Sequence, residues 1–162
     1  MKKKLERLIV KTKSRSLINL TGFVYGFLFP AKKSYSQYAE DLVIENFFNS
    51  VGIYNDGFYV DIGAYHPKFI SNTHRLHKKG WKGLCVDLSD EKLMWFRFLR
   101  KDKVSTVCAA VTPEESDSLV TFYAHHRILS EMDTLVESVA KQQKREKGFD
   151  YSVETVQGIT VD

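Results

Sequence analysis

Two aspartates, each closing a short apolar run, are the residues of this chain best placed to do chemistry. The stretch from Gly57 to Asp90 reads GFYVDIGAYHPKFISNTHRLHKKGWKGLCVDLSD, and Asp87 follows Asp61 by 26 positions. A carboxylate inside an apolar run needs partners, because burying it alone is costly. Gly63 stands just after the first acid, where the lack of a Cβ lets backbone approach a ligand. In open α/β sheets ligands bind beyond the carboxyl ends of the strands, and an acid about 20 residues after a glycine turn accepts hydrogen bonds from ribose hydroxyls. The interval from Gly63 to Asp87 is 24.

The turn lacks the rest of a G-x-G-x-x-G loop, since Ala64, Tyr65, His66 and Pro67 follow Gly63. A pyrophosphate needs such a loop opening directly onto a helix N-terminus, so NAD and FAD are disfavoured. A nucleoside without pyrophosphate fits better. S-adenosylmethionine is the obvious candidate, because its sulfonium and amino groups are cationic and suit acidic strand ends. His66 adjoins the turn and has two readings of equal weight: it touches substrate or serves as a base, or it fixes the His-Pro turn. His74 and His77, three apart on a predicted helix, have no third ligand at convincing spacing and read as surface histidines rather than a metal site. His125 and His126 are neighbours on a predicted strand and point to opposite faces, so they cannot chelate as a pair.

Strands and helices must position these groups. SYSQYAEDLVIENFFNSVG reads as a helix, with Ser36 as N-cap, Glu40 and Asp41 near its first turn and Gly52 as its stop. Tyr38, Leu42, Val43, Phe47 and Val51 form its expected core-facing stripe. Phe58 to Ile62 reads as a strand buried on both faces. A short helix begins at Ser71 or Asn72 and ends at Gly80. WKGLCVDLS reads as a second strand. Ser89 then caps a helix to which Leu93, Met94, Phe96, Phe98 and Leu99 give apolar surface. KVSTVCAAV and SLVTFYAHH read as further strands, and 128–147 as an amphipathic segment with Leu129, Met132, Leu135, Val136 and Val139 on one side and a solvated end from Lys141 to Lys147. YSVETVQGITVD closes as a short strand. Alternating strands and helices predict parallel pairing with right-handed crossovers, half of a doubly wound sheet.

The net charge of +4 is unevenly spread. Residues 1–35 hold nine Lys/Arg and one acid, Glu6, whereas the remainder holds fifteen basic and nineteen acidic residues. A nucleic-acid-binding body would carry the excess itself, so nucleic acid is not an expected partner. The apolar, aromatic stretch from Leu17 to Pro30 has 14 residues, too few to span a bilayer as a helix. Two readings stay open for it: an interfacial segment on an anionic membrane, or a helix packed on its own domain. Cys85 and Cys108 show no CxxC and no disulfide pattern, which predicts two buried thiols in a reducing, cytoplasmic setting. Trp81 is an expected core residue. The domain division is 1–33 as a basic and apolar segment, peripheral at the inner face of the membrane under the first of those two readings, and 34–162 as the folded body.

SQYAEDL, GFYVDIGAYHP, SNTHRL, KKGWKGLCVD and AAVT, in that order over about residues 34–112, resemble the FkbM family of S-adenosylmethionine-dependent methyltransferases. The resemblance implies a Rossmann-like class I methyltransferase fold and O-methylation of a sugar, glycan or other natural-product hydroxyl. It implies that Asp61 and Gly63, with Ala64 beside them, border the methionine moiety, that Asp87 holds the ribose, and that Glu40 and Asp41 belong near the site. Glu40 joins His66 as a candidate base. Three departures from the family pattern stand out: Ala39 replaces the glycine of SQ-x-G-E-D, Tyr65 replaces the asparagine of GANHP, and VDLSD lacks the proline usual after the ribose acid. ITVD resembles the start of a motif that normally leads to a further strand, so the parallel-rich sheet is expected to be incomplete. That leaves two expectations: an incomplete portion of a methyltransferase, or a non-catalytic binding or scaffold remnant completed by a partner chain.

Overall fold

The computed structural model describes residues 33–113, 119–125 and 132–161. The chain divides into Met1–Lys33 and Ser34–Asp162, and all that follows concerns the second part. The basic and apolar N-terminal stretch, His126 and Leu129 lie outside the described residues. Among the described residues no helix is long and apolar enough to cross a membrane.

The architecture is mixed α/β. Helix α1 (Glu40–Ser50) leads into β1 (Phe58–Ile62), α2 (His74–Lys78), β2 (Lys82–Asp87), α3 (Asp90–Arg100), a 3-10 turn (Lys101–Lys103) and β3 (Val104–Cys108). Then come β4 (Ala110–Val111), β5 (Leu119–His125), α4 (Glu137–Lys147) and β6 (Tyr151–Ile159). Strands β1, β2 and β3 form a parallel sheet in that order. Its register sets Asp61 opposite Cys85 and Asp87 opposite Cys108. A second sheet has the order β4-β6-β5, with β4 parallel and β5 antiparallel to β6. The closing strand is therefore not short: it runs nine residues and is the spine of that sheet. The expected parallel βαβ pairing holds for β1 to β3.

One core forms where α1, α2 and α3 meet the sheet, around Tyr59, Leu76, Trp81, Cys85, Leu93 and Phe96, with Ile44 and Phe48 packed against it. A smaller one joins Ala110, Phe122 and Val156. Tyr59 faces Gly83 on the neighbouring strand, and its ring fills the space a side chain there would need. Cys85 is fully buried and Cys108 half-buried; both are free thiols. Burial pushes the Cys85 thiol up to about 12, with the charge of Asp61 adding to it.

Several expectations are corrected. The stripe on α1 points outward: Tyr38, Val43, Phe47 and Val51 are exposed, while Asp41 and Glu45 are buried. The reason is α2 and the residue that ends it: Arg75 Nε lies 3.1 Å from Asp41, and Lys79 Nζ 3.1 Å from Glu45. Ser36 is not the N-cap. The helix starts after Ala39, at φ 67°, although the Ser36 hydroxyl still accepts the Asp41 N–H. At the other end Gly52 (φ 79°) donates to Asn49 O and Ile53 to Phe48 O, a Schellman stop. Strand β1 is buried on one face only, since Phe58, Val60 and Ile62 are exposed and the helices cover the Tyr59 face. Of the apolar residues expected to cover α3, only Leu93 and Phe96 are buried; Met94, Phe98 and Leu99 are exposed. Met132, Leu135 and Val136 precede α4 as extended chain, bridged to β5 through Thr134 and Tyr123.

Candidate functional site

The carboxyl ends of β1 and β2 open into a pocket of about 240 Å³. Ile62, Gly63 and Tyr65 contribute from the first turn, and Val86, Asp87 and Leu88 from the second strand end. Ala109, Ala110 and Val111 form a third wall, Lys92 comes from α3, and Asp133 and Leu135 from the chain before α4. Small-molecule pockets run from about 300 to 1,000 Å³, so this one suits a nucleoside-sized part of a ligand whose remainder lies in the open mouth.

Asp87 is held by main chain. Its Oδ2 accepts the Tyr65 N–H at 3.0 Å and its Oδ1 the Ser89 N–H at 3.1 Å. Ser89 is the residue before α3, so the acid caps the helix in place of the serine hydroxyl, which makes no capping bond. Gly63 and Ala64 donate their N–H groups to Val86 O, which ties the turn to the strand carrying Asp87. Gly63 has φ 71°, and a Cβ built on it would meet no atom within 4 Å. The space beside it is open to a ligand.

Two further groups at the pocket were not singled out in the sequence. Lys92 Nζ lies 2.6 Å from Asp133 Oδ2 and 3.9 Å from Asp87 Oδ1, over the Tyr65 ring. Asp133 Oδ1 accepts the His125 N–H. Lys92 therefore stands between two carboxylates and ties α3 to the chain that follows β5. Its position one turn into the helix after Asp87 was a usable signal; nothing local marked Asp133.

The remaining candidates separate from the pocket. Asp61 is not in its lining: its Oδ2 accepts the Thr73 hydroxyl, and burial pushes its carboxyl above the usual range. His66 is buried, and its Nδ1 accepts the N–H groups of Lys68 and Phe69, each at 3.0 Å. That is the turn-fixing arrangement. Burial, with Arg100 and Lys68 nearby, lowers its pKa. Glu40 accepts the Tyr38 N–H, and Asp41 is locked among Ser34, Tyr35, Ser36 and Arg75. Burial alone would raise the Asp41 carboxyl, but those hydrogen bonds outweigh it and hold it at about 2. Glu40, Asp41, Asp61, Ala64 and His66 are not among the residues lining the pocket, whereas Gly63 and Asp87 are.

His74 and His77 are not surface histidines either. The His74 Nδ1 lies 2.9 Å from Pro67 O, its ring packs edge-on to Tyr35, and burial lowers its pKa to about 4. No group of three or more His, Cys, Asp or Glu side chains among the described residues is arranged to hold a metal ion.

No family model matches the chain, and no curated protein and no solved structure matches it.

Proposed function

We propose that Ser34–Asp162 binds the nucleoside of S-adenosylmethionine and is part of an FkbM-like O-methyltransferase acting on a sugar or natural-product hydroxyl. The observation that carries this is Asp87, presented to a pocket at the end of a parallel strand, beside Gly63, by two main-chain N–H groups. A carboxylate so held keeps lone pairs free for a ribose diol. Two of the three departures from the family pattern add support. Ala39 and Tyr65 both adopt left-handed backbone, at φ 67° and 53°. The glycine and asparagine of the pattern are the residues that conformation favours.

When bound, the cofactor supplies an electrophilic methyl group for in-line displacement by the acceptor oxygen. The chain's own part is to bind and orient. Asp87 accepts from the ribose, Leu88, Ala109 and Leu135 offer apolar contact, and the Gly63 turn leaves room for the remainder. Neither His66 nor Glu40 reaches this pocket as a base. That observation favours a second reading, a binding or scaffold protein completed by a partner chain.

Calorimetry of the full chain with S-adenosylhomocysteine tests the proposal. Binding is expected, weakened about 10-fold to 100-fold in Asp87→Ala, since hydrogen bonds to a charged group contribute about 1.5–3 kcal/mol each. No binding, or equal binding by the variant, overturns it. Binding without methyl transfer to any sugar acceptor favours the second reading.

We also propose that residues 2–33 hold the protein at an anionic membrane surface, each Lys or Arg contributing about 1 kcal/mol. Co-sedimentation with phosphatidylserine vesicles is expected to fall in high salt and to vanish on deletion of residues 1–33.

A further inference from the structure

Arg100, the last residue of α3, reads in the sequence as one more basic side chain at a helix C-terminus. In the structure it is only 2% exposed. Burying a guanidinium is costly unless its donors are satisfied and its charge answered; here both terminal nitrogens are bonded, and Nε has no partner among the described residues. One terminal nitrogen donates to the Tyr59 hydroxyl at 2.7 Å and to Thr73 Oγ1 at 3.0 Å. The other donates to Pro67 O at 2.7 Å and to Ser71 Oγ at 3.1 Å. The rings of Phe96 and Tyr59 flank the group, with centroids at 4.7 and 5.6 Å.

None of these four acceptors is a carboxylate. The answering charge is one step further on, because Thr73 passes its own hydrogen bond to Asp61 Oδ2. The direction of that chain is fixed by chemistry. Arginine has no acceptor, so Thr73 must accept from Arg100 and give its single proton to Asp61. Asp61 Oδ2 is thereby occupied, while none of the described residues donates to Oδ1. The same guanidinium clamps Pro67 and Ser71, the two ends of the loop that returns from the Gly63 turn.

We propose that Arg100 is a positioning residue of the candidate site: acting through Thr73, it decides which oxygen of Asp61 stays available at the end of β1, and it holds the loop behind Gly63. The proposal rests on the cofactor-binding reading of the site. Its claim is that Asp61, outside the lining of the pocket, reaches the part of the ligand beyond it with Oδ1, oriented through Thr73, while Asp87 meets the nucleoside directly. The groups facing the Asp61 carboxyl are Arg100 from α3, Thr73 from the loop, Tyr59 from its own strand, and Cys85 and Asp87 from β2. Of these, Thr73 and Arg100 favour the ionised acid, and Asp87 opposes it.

The test is built on Thr73, because Arg100→Met removes a whole network and can prevent folding. Thr73→Val keeps the branched shape and deletes the hydroxyl; Thr73→Ser restores the hydroxyl. In the full chain, carboxyl ¹³C NMR follows the protonation of Asp61 directly. The midpoint is expected to rise in Thr73→Val and to return in Thr73→Ser. An unchanged midpoint in folded Thr73→Val overturns the relay. Affinity for S-adenosylhomocysteine is expected to fall about 5-fold to 10-fold in Thr73→Val, the effect of losing one positioned hydrogen bond, and to recover in Thr73→Ser. Asp61→Asn combined with Thr73→Val is expected to bind no worse than Asp61→Asn alone, since both act through one carboxylate.

A merely structural role for the relay lowers the melting temperature of Thr73→Val and leaves both midpoint and affinity where they were; that result refutes the proposal. Failure of the wild-type chain to bind the probe refutes the cofactor reading instead, and the Asp61 titration then still decides whether Arg100 and Thr73 orient the acid.

Discussion

Asp61 and Asp87 end neighbouring parallel strands, yet they are held in opposite ways. Asp87 is gripped by two main-chain N–H groups, at Tyr65 and Ser89, and faces the pocket. Asp61 depends on one side-chain hydroxyl, which depends in turn on a buried guanidinium. Main-chain donors survive almost any substitution at their residues, so the Asp87 end is robust to mutation around it. The Asp61 end is only as secure as Thr73 and Arg100.

The largest expected effect tests that contrast. Arg100→Met removes a donor from Tyr59, Thr73, Ser71 and Pro67 and leaves Asp61 without its countercharge. Breaking such a buried network costs about 3–5 kcal/mol, whereas Asp87→Asn, which keeps one of the two accepting oxygens, is expected to cost less, about 1–2 kcal/mol. Urea unfolding of both variants measures the difference; equal losses break the comparison.

The next effect appears in pH. Asp41 is held at about 2, below its unfolded value of 3.8. Its contribution, on the order of 2 kcal/mol, is present above about pH 4 and lost as pH falls toward 2. Asp61 has the opposite sign. Its folded pKa is raised, so the native state binds the extra proton and stability falls as pH rises from about 4 through the folded value. Stability curves over pH 2 to 7 are expected to lose the first slope in Asp41→Asn and the second in Asp61→Asn.

Gly83→Ala comes next. The new Cβ would overlap Tyr59 Cε2. The ring, tied to Arg100 through its hydroxyl, cannot move without disturbing the Asp61 side. Overpacking of this kind costs about 1–3 kcal/mol, and pocket binding at Asp87 is expected to change less than stability. The smallest effect is a gain. Ala39→Gly relieves left-handed backbone at φ 67° and is expected to stabilise by about 1 kcal/mol. Thermal melting checks it, and a loss contradicts the strain.

Much of the β1-to-β3 half was legible because its signals are local. Apolar runs gave β1, β2 and β3, and Gly52 and Gly80 mark helix ends. Asp87 and Gly63 were legible as a pair because strand ends and turns have fixed geometry. The outward face of α1 was not, since its inward side is polar and its partners, Arg75 and Lys79, lie about 30 positions downstream, on α2 and at its C-cap. The same holds for Arg100: its acceptors at 59, 67, 71 and 73 precede it by a helix and a strand. A charged residue buried by distant partners looks, in sequence, like a charged residue at the surface. Lys92 and Asp133 share that difficulty, being 41 positions apart.

Cys85, with no exposed surface and a thiol pushed up to about 12, gives the molecule an internal clock. The thiolate is the reactive species, so a thiol reagent reaches this sulfur only when β2 comes away from the helices above it. The half-buried Cys108 is expected to label first. The lag before Cys85 follows then reads out how often the core opens in the native protein. A bound nucleoside is expected to lengthen that lag while leaving the first labelling step alone.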